Sequence, residues 1–473
     1  MRRRVIRHQL QPWCDPDLVF RVLYGQSDRA FWLDSGIGAR AGFSYLGEGA
    51  RLVTGDSRGG ILTDTAPAAP THSDIFEFLA EQQAEGVGGP AGPGGEFRLG
   101  WVGWFGYELR SVTMGTRASR HSRYPDAAWM EVVRAIEFDH ASRTVTLVAL
   151  AVDIGGTGSD SEWVGENARW RDEVLATLTG LESRHEDALS VVPGATDTAP
   201  EPRWTHSDDE YLAMIRECQR AIAEGDAYQL CLTMGVEVDI RPDPLACYLA
   251  LRARSPSHHG GLLRVGECSL LSASPEVFLT VSASGEVESR PIKGTRPRGG
   301  GADDDVALRA ELLSSEKERA ENLMIVDLMR NDIGRVSEVG SVTVPSLLAV
   351  ESYAQVHQLV STVRGHLRSD LRPMDAVVAC FPAGSMTGAP KSSATAILDR
   401  LEGAPRGVYS GAFGYLGLDG RIELAMVIRS IMLDPDGATV GTGGGVTALS
   451  VPEEELAEAR LKAAALLSVL DVR

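Results

Sequence analysis

Apolar residues in this chain come in short runs. None reaches the roughly 18 residues that a bilayer-crossing helix needs, and the longest sheet-like stretch, Thr144 to Val152, is strand-sized. An interior made of such pieces must be assembled from several strands and amphipathic helices. The 473 residues leave room for two or three domains or one large interwoven one. Lys and Arg number 46 against 65 Asp and Glu, a formal net charge of −19. An acidic surface repels phosphate backbones and anionic headgroups, so neither nucleic acid nor membrane is expected as a partner, and small-molecule chemistry is the better expectation. The basic start, MRRRVIRHQLQPW, is not followed by an apolar segment or a small-residue cleavage site, which reads as a cytoplasmic protein. Six cysteines (Cys14, Cys218, Cys231, Cys247, Cys268 and Cys380) show no CxxC spacing, so buried free thiols are expected in place of a zinc knuckle or a disulfide framework.

Glycine and proline punctuate the chain at Gly86 to Glu96 and at Gly155 to Ser161, which read as surface loops. The clearest boundary is Arg184 to Pro202, polar and proline-bearing, which divides a first part, residues 1–185, from a second, residues 203–473. In the first part, Phe97 to Arg110 sets aromatics between glycines, as suits strands or turns where backbones approach closely. The second part opens on a helix bounded by a capping box, Ser207 with Glu210, and by Gly225 at its end. Strand-like runs follow at Tyr228 to Val238, Leu262 to Leu271 and Val277 to Val281. A longer helix is expected over Ser315 to Asn331, with Ser315 and Glu318 as its box. A last one has Ser450 and Glu453 as its box and Pro452 at the first helical position.

Three features carry chemistry. Glu318 and Glu321 are three residues apart on one of these helices, as are Glu455 and Glu458 on the other, with Lys462 four further on, so each helix presents a carboxylate pair on one face. Carboxylates from two elements suit a hard cation such as Mg²⁺, although an i, i+3 Glu pair taken alone is more often a solvated charged face. Two glycine-rich segments, FPAGSMTGAPK (Phe381 to Lys391) and GTGGGV (Gly441 to Val446), precede helical patterns and can turn free amides towards an oxyanion, though a simple tight turn explains either equally well. Neither is a Walker loop or a GxGxxG motif. The third is RPIKGTRPR, Arg290 to Arg298. Reaching the neutral, nucleophilic form of a free lysine at pH 7 costs about 4.6 kcal/mol, and Arg290, Arg296 and Arg298, or burial, would lower that cost by disfavouring the cation at Lys293. A basic surface hairpin is the plainer reading of the same residues.

Taken in order, GDAYQL, SASPEVFL, RPIKGTRPRG, KERAENLMIVDLMRNDIGRV, VHQLVSTVRG, FPAGSMTGAPK, VYSGAFGYLG, ELAMVIRSIM and GTGGGV resemble the chorismate-utilising enzymes, specifically the aminodeoxychorismate synthase component I type, which is related to anthranilate synthase component I. The likeness runs from about Trp204 to Leu470 and more loosely into the first part through FWLDSG and GWVGWFGYE. It implies an α/β fold of two large sheets in a sandwich wrapped by helices, built from both parts of the chain. Glu321 and Glu458 match the family's Mg²⁺ ligands, with Glu318 and Glu455 beside them. Arg429, Lys462, Tyr409 and the amides of Gly443, Gly444 and Gly445 match residues that bind the substrate's enolpyruvyl carboxylate, and Ser385 and Thr387 fall in the substrate-binding loop.

Lys293 selects the reaction within the family, since enzymes similar to anthranilate synthase have PIAGT where this chain has PIKGT. The resemblance implies attack of Lys293 on C2 of chorismate, departure of the C4 hydroxyl with a proton from Glu276, and attack of ammonia at C4 to give 4-amino-4-deoxychorismate, towards 4-aminobenzoate for folate or specialised metabolites. The chain departs from the anthranilate synthases in having Gln358, preceded by His357, where they carry a histidine. No cysteine lies in a glutaminase nucleophile context, so ammonia is expected from solution or from a partner glutamine amidotransferase. Asp34 and Ser35 of FWLDSG are candidates for an effector pocket that takes tryptophan. The alternatives are an anthranilate synthase component I, an isochorismate or salicylate synthase using water, and a non-catalytic chorismate- or tryptophan-binding regulator.

Overall fold

The computed structural model describes residues 3–10, 13–58, 60–63, 74–84, 95, 97–116, 120–152, 163–182, 200–353 and 356–472. Most of the two glycine-rich loops and of the boundary segment singled out above lie outside the described residues. Among the described residues the strands form two sheets, one of twelve strands and one of eleven, paired antiparallel throughout. Both sheets are composite. In the first, strand Ala30–Asp34 of the first part pairs with His259–Val265 of the second, from Phe31 opposite Leu263 to Asp34 opposite Gly260. In the second, Gly100–Phe105 pairs with Ala412–Gly417.

The sheets stack face to face, with helices on their outer faces, so central strands are buried on both sides and read as continuous apolar runs. Strand Gly100–Phe105 illustrates it. Val102 and Trp104 join the core between the sheets with Phe31, Leu263 and Phe413, while Trp101 and Phe105 face the helix-covered side with Ile325, Val377 and Phe381. The alternation follows from the two-residue period of a strand. On the outer face of the other sheet, Trp32, Leu262 and Ile431 pack under Phe20, Val174 and Leu251.

Local signals set several element ends. The helix Asp208–Glu224 begins at Ser207, whose hydroxyl accepts from the Glu210 amide while the Glu210 carboxylate accepts from the Ser207 amide, and it stops at Gly225 in the left-handed conformation. The helix Glu316–Gly334 starts at Ser315, which accepts from the Glu318 amide. Two expectations change. Leu262 to Leu271 is not one strand but the hairpin His259–Val265 and Cys268–Ser274, because Gly266, at φ 60°, turns the chain between them. The last helix, Pro452–Leu467, has Pro452 at its start as expected, but its cap is Val451 and no box forms with Ser450. The Ser450 hydroxyl donates instead to Glu455 Oε1 at 2.7 Å.

Candidate active site

Where the ends of the two sheets meet these helices there is a cavity of about 390 Å³, within the usual range for small-molecule sites. Elements far apart in sequence bring one residue each. Lys293 comes from strand Ile292–Pro297 at the edge of the second sheet, Glu276 from the turn before strand Val277–Val281, and Gln358 from strand Val356–His366. Gly443, Gly444 and Gly445 end strand Gly437–Val446 of the first sheet. The two helices supply Glu318 and Glu321 on one side and Glu455, Glu458 and Lys462 on the other, with Ser385, Tyr409 and Arg429 completing the wall. Every catalytic, metal and substrate candidate read from the sequence lines this cavity except Thr387. That residue is fully buried, and its hydroxyl donates to the carbonyls of Ala383 at 3.1 Å and Gly384 at 3.4 Å, so it closes the turn that presents Ser385.

Charge is distributed in pairs across the cavity. Lys462 Nζ lies 2.7 Å from Glu458 Oε1 and donates to the Gly443 carbonyl at 3.0 Å, which ties the last helix to the glycine strand. Lys317 Nζ bridges the helices to Glu455 Oε1 at 3.3 Å. Arg296 reaches Glu318 at 3.4 Å. Sequence reasoning passed over Lys317, although it stands four residues before Glu321 and so shares that helix face. Close backbone approach explains the glycines: a Cβ on Gly441 would stand 2.0 Å from the Tyr409 ring, and one on Gly445 would stand 2.3 Å from Gln229 Nε2. Arg429 adopts φ 49°, a left-handed conformation costly for a side-chain-bearing residue.

Burial and neighbours shift the titrating groups. Burial raises the Glu276 carboxyl above the usual carboxylate range, against the opposing pull of Lys293, a hydrogen bond from Ser385, and Arg429. Glu321 is raised too, again chiefly by burial, while Lys293 and Lys317 oppose it. At Glu458 burial acts upward, but the Lys462 ammonium and its hydrogen bond outweigh it and hold the carboxyl low. Lys293 corrects the expectation of a depressed amine. Burial does act to lower it, but Cys231, Glu276, Glu321 and Glu458 outweigh burial and raise it. The arginines expected to repel its charge are engaged elsewhere, Arg290 with Glu351, Arg296 with Glu311 and Arg298 with Asp305.

Neighbouring strand residues point to opposite faces, and this separates His357 from Gln358. Gln358 faces the cavity. His357 faces away and is 1% exposed, its Nδ1 paired with Ser352 Oγ at 2.8 Å and its Nε2 with Asp305 at 3.0 Å. The effector candidates lie apart from the cavity. Asp34 accepts from Arg252 Nε at 2.5 Å, from the Tyr248 hydroxyl at 3.0 Å and from the Gly36 amide at 3.0 Å, and the Ser35 hydroxyl donates to the Phe43 carbonyl.

Among the described residues no group of three or more His, Cys, Asp or Glu side chains stands ready to hold a metal ion. Mg²⁺ asks less, since it keeps several waters and needs one or two carboxylates. Two carboxylates from facing helices, one of them buried at Glu321, are a donor set that fits it.

The sequence profile of the chorismate binding enzymes matches residues 29–468. This chain belongs to that family. Among its curated relatives, "Aminodeoxychorismate synthase" of Streptomyces griseus is 43% identical over 479 residues, 99% of this chain and 65% of the relative. "Aminodeoxychorismate synthase" of Streptomyces pristinaespiralis is 41% identical over 96% of this chain and 64% of its own length. This chain thus spans just under two thirds of both. The solved anthranilate synthase component I from Streptococcus pneumoniae TIGR4 superposes with a TM-score of 0.74 at 28% identity, covering 97% of this chain and 99% of that one. The sandwich of two large sheets is therefore the fold of this chain, as the resemblance implied.

Proposed function

We propose that this chain is the chorismate-aminating component of an aminodeoxychorismate synthase. With Mg²⁺ it converts chorismate and ammonia to 4-amino-4-deoxychorismate, towards 4-aminobenzoate for folate or specialised metabolites. The ammonia comes from glutamine through an amidotransferase partner, and the reaction runs in the cytoplasm. The observation that carries the reading is Lys293, an amine on the wall of the cavity that also presents Glu276, Glu321 and Glu458. The names of the two Streptomyces relatives point the same way.

In this reading Arg429, Lys462 and the amides of Gly443 to Gly445 hold the enolpyruvyl carboxylate. Lys293 gives up a proton to solvent, a loss that the surrounding carboxylates oppose in the free site, and its neutral amine attacks C2. The C4 hydroxyl departs as water with the proton of Glu276, a carboxyl that burial keeps in its acid form to higher pH than usual. Ammonia attacks C4, the bond from C2 to the Lys293 nitrogen breaks, and the amine is released. Mg²⁺ held by Glu321 and Glu458, flanked by Glu318 and Glu455, would neutralise carboxylates and bind the ring carboxylate electrostatically. Gln358 cannot donate a proton at neutral pH, which suits an enzyme that retains the enolpyruvyl group and weighs against anthranilate synthesis.

Purified protein given chorismate, MgCl₂ and an ammonium salt should yield 4-amino-4-deoxychorismate, identified by mass, and should use glutamine only when the partner is supplied. Without ammonia, rapid quench should reveal an added mass equal to chorismate less water on the peptide bearing Lys293. Lys293→Ala should lose the adduct and at least about 100-fold of the turnover. Fluorescent 2-aminobenzoate as the wild-type product, or full output from Lys293→Ala, would overturn the assignment. Glu458→Gln should weaken the dependence on Mg²⁺, and an unchanged dependence removes Glu458 from the metal site.

A further inference from the structure

Arg406 lies just outside the cavity with its side chain only 3% exposed, yet all five of its N–H donors are used. Nε donates to Glu402 Oε2 at 2.8 Å and Nη2 to Glu402 Oε1 at 2.6 Å. Nη1 donates to the Met386 carbonyl at 2.6 Å and to the Ser410 hydroxyl at 3.3 Å, and Nη2 also reaches the Cys231 carbonyl at 2.9 Å. The guanidinium also stacks on the Tyr107 ring at 4.3 Å. Glu402 completes the assembly by accepting from the amide and hydroxyl of Thr233. Met386 and Cys231 both line the candidate active site, from the turn Gly384–Met386 and the strand Gln229–Val238. Ser385, between Gly384 and Met386, lines the same cavity as Glu276.

A buried ion pair adds little net stability over an apolar pair of the same volume. What this pair does supply is a rigid fork that grips the backbone carbonyls of two neighbouring segments of the cavity wall, already joined by the Cys231 amide donating to the Thr387 carbonyl at 2.8 Å, and a lysine with three donors on a single atom cannot reproduce that grip. We propose that Arg406, oriented by Glu402, is a positioning residue that clamps the Gly384–Met386 turn to the strand at Cys231, so that Ser385 meets Glu276 in the geometry needed for proton transfer. The proposal rests on the reading of Glu276 as the general acid.

Arg406→Lys should lower kcat for chorismate amination by about 10-fold or more while KM for chorismate changes less than about 3-fold. If Arg406 acts through Ser385, the double variant Arg406→Lys, Ser385→Ala should be no slower than the slower single variant. Arg406 also lines a second cavity of about 300 Å³ on its other side, so guanidinium at low millimolar concentration has a route to the vacated place in Arg406→Ala and should restore turnover saturably where equal NaCl does not. Should Arg406→Ala not fold, the lysine variant carries the test. A measurement independent of the reaction is hydrogen exchange over residues 383–389, which should quicken in Arg406→Lys while exchange in the helix Asp208–Glu224 stays unchanged. Unchanged exchange in the turn, or rate losses that multiply in the double variant, would overturn the clamp. A wild-type protein that does not turn over chorismate would overturn the functional reading instead, and the exchange measurement would still decide on the clamp.

Discussion

Glu108 lies away from the cavity and is 5% exposed. Its Oε1 accepts from the Arg406 amide at 2.8 Å, and its Oε2 has no hydrogen-bond partner among the described residues. Burial pushes its carboxyl up to about 7 from an ordinary 4.5. Between those values the folded chain holds a proton that the unfolded chain has released, so stability falls as pH rises through this window, by about 3 kcal/mol for a shift of this size. Glu108→Gln removes that titration and keeps the acceptor for Arg406. The drop in Tm from pH 5 to pH 8 should therefore be smaller in the variant than in wild type, and equal drops would place the pH dependence elsewhere. The same distinction between residue type and environment governs Lys293. The lysine itself was legible in PIKGT, but its place on a strand and the direction of its shift were not, because the shift depends on Cys231, Glu276, Glu321 and Glu458, none of them near it in sequence.

Helices and strands position the site through their ends and faces. Spacing of three places Glu318 with Glu321 and Glu455 with Glu458, and both pairs do face the cavity. What spacing left open was whether they met solvent, and packing settled it: Glu321 and Glu455 are buried, while Glu458 stays half-exposed against Lys462. Ser450 shows a local pattern overridden by a tertiary demand, since its hydroxyl holds Glu455 instead of capping the last helix. The glycine strand is held to tolerances that a single methyl exceeds. Gly441→Ala would put a Cβ 2.0 Å from the Tyr409 ring, and because backbone and ring are both packed, overpacking should cost about 1–3 kcal/mol of stability. The displaced ring should also spoil the cavity wall. Calorimetry should therefore show weaker chorismate binding together with a lower Tm, and wild-type affinity in Gly441→Ala would mean that the Tyr409 wall does not contact the substrate.

Each sheet is sewn together from both parts of the chain, at Ala30–Asp34 against His259–Val265 and at Gly100–Phe105 against Ala412–Gly417. Separating the parts would expose unpaired strand edges and the shared core around Phe31, Trp104 and Phe413. Heating should therefore give one cooperative transition by calorimetry and by tryptophan fluorescence alike, and two resolved transitions would mean that the seams do not couple the parts. The helix caps at Ser207 and Gly225, the start at Pro452 and the carboxylate spacings could be read in advance because they follow from hydrogen bonds and side-chain periods spanning a few residues. The order of motifs was enough for the family likeness and the reaction expected from it. Which side of a strand meets the cavity, as with Gln358 against His357, and which cations face which carboxylates are set by pairings between distant segments. Electrostatic shifts depend on separation and burial in the folded chain, and no local spacing carries those distances.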